Sequence, residues 1–318
     1  MALRADDLID RRRLRRKLTF WRVAALGVAA AALIALSAWV YNDDFTGSAV
    51  DHIAKVRIEG TITEDEDLIK RLETIRQSAK VKGVILSIDS PGGTTVGGES
   101  IFEEVRKLAA DKPVVAEVGT LAASAGYMIA SAADHIVARK SSMVGSIGVL
   151  IQYPDVSGLM DKLGIKLEEV KSSPLKASPS PFKPTNDDER AMVRKLILDS
   201  YDWFVGIVAE RRKMTREQAL ALADGSIFTG RQALANHLID AVGGETEAID
   251  WLATKGVDAK LKVVEWKDTE GRGSFLFSKT MARTIASAFG LPDAGGDVIH
   301  EIGADRLFLD GLVSVWHP

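Results

Sequence analysis

Two glycine-rich turns carry the residue types of acyl-transfer chemistry. The first is Asp89-Ser90-Pro91-Gly92-Gly93, and the second is Gly119-Thr120-Leu121-Ala122-Ala123-Ser124-Ala125-Gly126-Tyr127. Ser124 falls between an expected strand and a helix rich in small residues. That position exposes a hydroxyl and sets the following N–H at the positive end of a helix dipole. Gly92 and Gly93 present backbone N–H groups with no Cβ in the way. Ser124 is therefore a candidate nucleophile, and the N–H groups of Gly93 and Ala125 are candidates for an oxyanion hole. Taken singly, each turn is also an ordinary structural device, one a common turn and the other a close helix contact. Their occurrence at successive strand ends favours chemistry, because sites in open α/β sheets gather at the carboxyl ends of strands.

A serine nucleophile needs a base. The histidines are His52, His135, His237, His300 and His317, and none forms an HExxH or HxxxH pattern. With no cysteine in the chain, thiolate catalysis and cysteine-ligated zinc are excluded, and neither a metal nor an organic cofactor is expected. His135 is the histidine nearest to Ser124, but it opens a short buried strand and no triad follows from it. A lysine is the other route, if desolvation lowers its pKa toward neutrality. Lys176 sits in a proline-framed, charge-poor stretch, Ser172 to Pro179. The residues alone do not separate it from Lys171 or Lys183.

The elements that position these residues alternate along the chain. Ile53 to Ile62, Gly83 to Ile88, Pro113 to Val118 and His135 to Ala138 read as strands, and the second is apolar enough to be buried on both faces. Asp65 to Ala79, Gly98 to Ala110 and Ala122 to Ala133 read as helices between them. This alternation predicts an α/β fold with parallel strands and right-handed crossovers. Ser172 to Pro184 is too rich in proline for helix or central strand. Asn186 to Arg212 reads as a long helix capped by Asn186, with shorter helices from Thr215 and near Arg231 to His237, and a strand-like alternation from Lys260 to Trp266. The apolar tail Arg306 to Pro318 packs on its own domain, on a neighbouring copy or along a substrate groove.

Charge is uneven along the chain. Arg11-Arg12-Arg13-Leu14-Arg15-Arg16-Lys17 precedes an apolar run from Val23 to Tyr41 with Trp21 and Trp39 near its ends. That run is long enough to span a bilayer, and the basic cluster places its N-terminal side in the cytoplasm. It predicts an uncleaved single-pass anchor in the cytoplasmic (inner) membrane, contact with membrane lipid, and residues 45 to 318 outside the cytoplasm. The net charge of −3 provides no field that would attract nucleic acid.

Asp89 to Gly93, Ala122 to Tyr127, Gly145-Ser146-Ile147-Gly148-Val149, Lys171 to Lys176, and Asp224-Gly225 with Thr229-Gly230-Arg231-Gln232-Ala233 follow one another in this order. The set resembles signal peptide peptidase A in its short, single-repeat form, over roughly residues 53 to 252. The resemblance implies a Clp/crotonase-like fold, with Ser124 as nucleophile, Lys176 as general base and Ser146 hydrogen-bonded to the lysine amine. It also implies the N–H groups of Gly93 and Ala125 as oxyanion hole. It further implies peptide substrates such as signal peptide remnants, and a homo-oligomeric ring in which Ser124 of one protomer faces Lys176 of its neighbour. Ala125 departs from the glycine common in relatives, which matters only if φ there is positive. The expected organisation is a basic cytoplasmic segment (1–22), an anchor (23–41), a spacer (42–52), a peptidase domain (53–252) and a C-terminal strand and tail (253–318). A crotonase-type acyl-CoA enzyme and an inert membrane scaffold are the alternatives.

Overall fold

The computed structural model describes residues 20–25, 27–28, 50–267 and, for the backbone, 313–315. The chain divides into two units, Met1–Asp51 and His52–Pro318. In the first, residues 20–25 and 27–28 are helical. Among the described residues no helix is long and apolar enough to cross a membrane, and most of the expected anchor over 23–41 lies outside them.

The second unit is built on a sheet whose central strands are apolar on both faces. Strand β1 (His52–Ile62) leads through α1 (Glu66–Gln77) to β2 (Val81–Thr94), α2 (Thr95–Asp111), β3 (Val114–Ala123), α3 (Ala125–Ala132) and β4 (His135–Ala138). Then come β5 (Met143–Gly145), α4 (Ser157–Leu163), α5 (Asp187–Arg211), α6 (Arg216–Leu222), β6 (Ile227–Thr229) and α7 (Gly230–Ala235). Strand β7 (Ala241–Val242), α8 (Glu245–Thr254), β8 (Val263–Glu265) and β9 (Val313–Val315) complete the described elements. Val84, Leu86 and Ile88 of β2 join Ile101, Leu108 and Met128 in the larger core. Ile85 points the other way, packing with Ile53, Val115, Val137 and Leu252. Two buried faces explain the unbroken apolar run in β2.

The main path of the sheet is β6-β5-β3-β2-β1-β8. It is parallel from β5 through β8, while β6 runs antiparallel to β5 and β9 antiparallel to β2. Strand β3 forks the sheet: Val115–Val118 pair with β4, whereas Leu121–Ala123 pair with β5. Ser142 lies at the fork, its hydroxyl donating to the Gly119 carbonyl. The fork lifts the end of β3 away from β4 and aims it at the site.

Two expectations are corrected here. The helix expected from Ala122 starts at Ala125, because Ala122 and Ala123 are held in strand by Val144 and Gly145. Pairing overrides the helix propensity of alanine. The Ser90–Gly93 segment does not leave the sheet at a turn. Strand β2 continues to Thr94, with Gly92 and Gly93 paired to Thr61 and Ile62 of β1. Pro91, which has no N–H, falls at the register shift in that ladder and costs no sheet hydrogen bond.

Candidate active site

Ser124 stands at the junction of β3 and α3 and is 1% exposed. Its backbone sits at φ 57° and ψ −120°, a sparsely populated region for a residue with a side chain. The Ser124 N–H donates to the Gly145 carbonyl at 2.8 Å, and its carbonyl accepts the Met128 N–H at 2.9 Å. Although Ser124 occupies the N-cap, its hydroxyl makes no capping hydrogen bond, so capping does not explain a serine there. Ala125 is the first helical residue, fully buried, and its φ is not positive. Alanine in place of glycine therefore carries no backbone strain.

The register brings Ser146 alongside. Ala123 pairs with Gly145, so Ser124 and Ser146 are the next residues on two adjacent parallel strands. Ser146 is 8% exposed, has φ 50°, and donates its N–H to the Ser226 carbonyl at 2.8 Å. Ser226 is held in turn by Asp224, whose carboxylate accepts its N–H at 2.9 Å. Gly145 has φ 114°, and a Cβ on it would meet the Ser226 carbonyl at 3.0 Å. The Asp224-Gly225-Ser226 turn thus buttresses Ser146.

Gly93 sits on the far side of the junction. A Cβ there would fall 1.8 Å from the Ile62 carbonyl oxygen, so only glycine fits. Gly126 approaches the Ser90 carbonyl closely, leaving a Cβ only 3.0 Å from it. Ser90 is fully buried; its hydroxyl donates to the Gly60 carbonyl at 2.6 Å and accepts the Gly92 N–H at 3.1 Å. The Asp89 carboxylate accepts the Leu121 N–H at 3.1 Å, tying the first turn to the second. Sequence reasoning left Asp89, Ser90 and Ser226 without roles. The available signal was that the first two share a motif with Gly93, and that Ser226 follows Asp224-Gly225. Tyr127 is fully buried, with its hydroxyl donating to the Leu238 carbonyl at 2.9 Å; burial raises its pKa.

The three loop lysines differ in their partners. Lys171 pairs with Glu169 at 2.8 Å. Lys183 pairs with the buried Glu189 at 2.8 Å, and that hydrogen bond raises the lysine above its ordinary value. Lys176 is exposed, and among the described residues its ammonium makes no hydrogen bond or ion pair. The next residue, Ala177, has φ 55°. Five described non-glycine residues have positive φ, and Ser124, Ser146 and Ala177 are three of them. Such strain concentrates at functional sites. The structure does not bring Lys176 into hydrogen-bonding contact with the two serines within one chain.

His135 lies at the opposite end of the sheet. It pairs with Val115, and from Val115 to Ala123 the strand runs roughly 25 Å at about 3.3 Å per residue. Its ring stacks on Trp251 with centroids 5.0 Å apart, and burial lowers its pKa. It is half-buried, with the Asp240 carboxylate 3.7 Å from its Nδ1, in a structural setting away from Ser124. Among the described residues no cluster of His, Cys, Asp or Glu could hold a metal ion.

Residues 106–260 match the model of peptidase family S49, and residues 48–158 match that of Clp protease. A protein of Methanocaldococcus jannaschii that carries the name of a protease is 37% identical over 222 residues, 70% of this chain and 71% of that one. One from Enterococcus faecium, named for signal peptide peptidase SppA, is 32% identical over 243 residues, 72% and 71% of the two chains. The chloroplastic serine protease SPPA of Arabidopsis thaliana is 34% identical over 216 residues, 63% of this chain and 32% of the plant protein. Matches of this depth across most of the catalytic unit show that the chain is a serine peptidase belonging to peptidase family S49, on a Clp-protease-like α/β fold.

Proposed function

We propose that the chain is a membrane-anchored endopeptidase that cleaves signal peptide remnants and similar apolar peptides through an acyl-enzyme on Ser124. The observation that carries this reading is the strained, buried Ser124 at the end of β3, with Ser146 one strand away; the Gly93 and Ala125 N–H groups are assigned to the oxyanion. In acylation the Lys176 amine takes the Ser124 proton as Oγ bonds to the scissile carbonyl carbon. The oxyanion accepts hydrogen bonds from Gly93 and Ala125. The intermediate collapses as the lysine returns its proton to the leaving amine and the C–N bond breaks. Water then attacks the ester with the same lysine as base, releasing the acid and restoring Ser124. Ser146 orients the amine.

The choice of Lys176 over Lys183 is supported by the Lys183–Glu189 pair, whose hydrogen bond raises the lysine and makes it a poorer base, while Lys171 is held 2.8 Å from Glu169. Exposure of Lys176 favours delivery from a neighbouring protomer. Leu159, Leu163, Ile165, Leu167, Leu175 and Phe182 are all exposed in the same stretch, as expected of a surface that a second copy covers. The run from Val23 to Tyr41 anchors the chain in the cytoplasmic membrane with the catalytic unit outside the cytoplasm.

A fluorophosphonate probe tests the nucleophile: labelling should map to Ser124 and vanish in Ser124→Ala. Labelling at another serine overturns the assignment. A topology reporter fused after Pro318 should read as extracytoplasmic, and a cytoplasmic reading removes the anchor and the substrate class with it.

A further inference from the structure

Strands β2 and β3 run in step from Val84 with Val114 to Ile88 with Val118, and their next pair is Ser90 with Ala122. Between those two rungs β2 has one residue, Asp89, while β3 has three, Gly119, Thr120 and Leu121. Two extra residues preserve the alternation of side chains, so Val118 and Ala122 both still face the larger core. They also draw the rest of β3 back along the ladder by roughly 6–7 Å, at about 3.3 Å per residue. Counted on from Ser90 and Ala122, Ser124 comes level with Gly92. On the earlier step it would come level with Thr94, beyond Gly93. The bulge therefore decides how far along β2 the serine stands.

We infer that Asp89 is a positioning residue for Ser124, its carboxylate holding the bulge in β3 closed. This inference rests on the reading of Ser124 as nucleophile and adds a residue to that same site. Where β2 offers one residue against three, a side chain supplies the acceptor: the Asp89 carboxylate takes the Leu121 N–H at 3.1 Å, three residues before Ser124. Gly119 leaves room for that carboxylate, since a Cβ there would lie 3.2 Å from its Oδ2 and 3.4 Å from its Cγ. On the other side of the bulge, the Ser142 hydroxyl donates to the Gly119 carbonyl and accepts the Arg139 N–H at 3.0 Å. The bulge is thus gripped from both sides, by one side chain on β2 and one just before β5. Asp89 is exposed, so core packing does not call for it. Bulges beside active sites re-aim the side chains that follow them, and a misplacement of about 1 Å is enough to cost on the order of 100-fold in rate.

The test compares the full chain with Asp89→Ala, which removes the acceptor, and Asp89→Asn, which keeps a carbonyl oxygen in its place. On a short fluorogenic apolar peptide, Asp89→Ala should lower kcat about ten- to hundredfold with KM little changed, and should slow fluorophosphonate labelling of Ser124 to the same degree. Asp89→Asn should bring both rates back to within about threefold of wild type. Hydrogen exchange reads the bulge without turnover: amides of residues 119–125 should exchange faster in Asp89→Ala and at the wild-type rate in Asp89→Asn. Unchanged kcat and labelling in Asp89→Ala overturn the inference, even if its melting temperature falls, since Asp89 would then be a structural tie alone. An Asp89→Asn variant as slow as Asp89→Ala overturns it too, because the charge and not the acceptor oxygen would matter. If the wild type neither cleaves nor labels, the nucleophile reading falls, and exchange decides whether Asp89 holds the bulge.

Discussion

The two halves of the proposed site are built in opposite ways. Ser124 and Ser146 are nearly buried at the ends of paired strands, and each is fixed by a 2.8 Å backbone hydrogen bond to the next strand or turn. Lys176 stands on an exposed loop amid exposed apolar side chains, with no partner among the described residues for its ammonium. Parallel pairing, once formed, leaves the serines no alternative position. The loop has few such constraints, and its anchors are the Lys171–Glu169 and Lys183–Glu189 pairs on either side of Lys176. One half is preorganised by the fold, and the other waits for a surface to hold it. On the proposed reading, catalysis requires that surface, and the prediction is that assembly gates activity.

The largest effects should come from removing either half. Ser124→Ala and Lys176→Ala should each lower kcat by roughly 10⁴-fold or more, and the double variant should be no worse, because the two act as a unit. Near-normal turnover by Lys176→Ala would return the base to Lys171 or Lys183. Mixing bears directly on the contrast between the halves. If a site takes its serine and lysine from neighbouring copies, co-expressed Ser124→Ala and Lys176→Ala chains should recover roughly a quarter of wild-type activity, from random pairing around a closed ring. No recovery would place both groups of each site in one chain.

Changes to the preorganised half should lower stability and kcat together. Gly145→Ala forces a Cβ onto φ 114° against the Ser226 carbonyl, and should cost about 1–3 kcal/mol in denaturant unfolding. Its kcat should fall as Ser146 shifts. Ser90→Ala leaves a buried carbonyl and N–H without their hydroxyl partner, at a cost of about 1–3 kcal/mol. If Ser90→Ala lost stability but kept full kcat, the β2 end would not be positioning the oxyanion site.

The smallest expected effect is on the anchor of the loop. Lys183 donates to Glu189 and holds its carboxyl down at about 2, against an ordinary 4.5. A depressed folded-state value stabilises above the unfolded value and loses that contribution as pH falls toward about 2. Glu189→Gln should therefore be less stable than wild type at pH 7, with the gap in melting temperature closing between about pH 4.5 and pH 2. A gap that does not change with pH would mean that the charge of Glu189 does not hold the loop.

Much of the sheet was legible in the sequence because buried parallel strands require unbroken apolar runs. Gly83 to Ile88 falls inside β2, and Pro113 to Val118 falls inside β3 from Val114 onward. Asn186 signalled the start of α5 as its cap, and the structure adds the reciprocal bond from Glu189 that makes it a capping box. Ser124 and the two glycine turns stood out because their backbone demands are local. Asp89, Ser90 and Ser226 did not, since their partners, Leu121, Gly60 and Ser146, are brought near only by the fold. The end of β3 was misread because Ala122-Ala123 suits a helix in isolation and becomes strand only by pairing with β5.

What the sequence by itself determined was the alternation of strands and helices, the order of the motifs and the candidate residues, since each depends on short-range pattern and residue chemistry. Tertiary structure decided the fork at β3, the strained backbone of Ser124 and Ser146, and the return of Val313–Val315 to the edge beside Gly93. Each of these joins residues distant in the chain through sheet register, and register is set by which strands pair, which no single segment specifies.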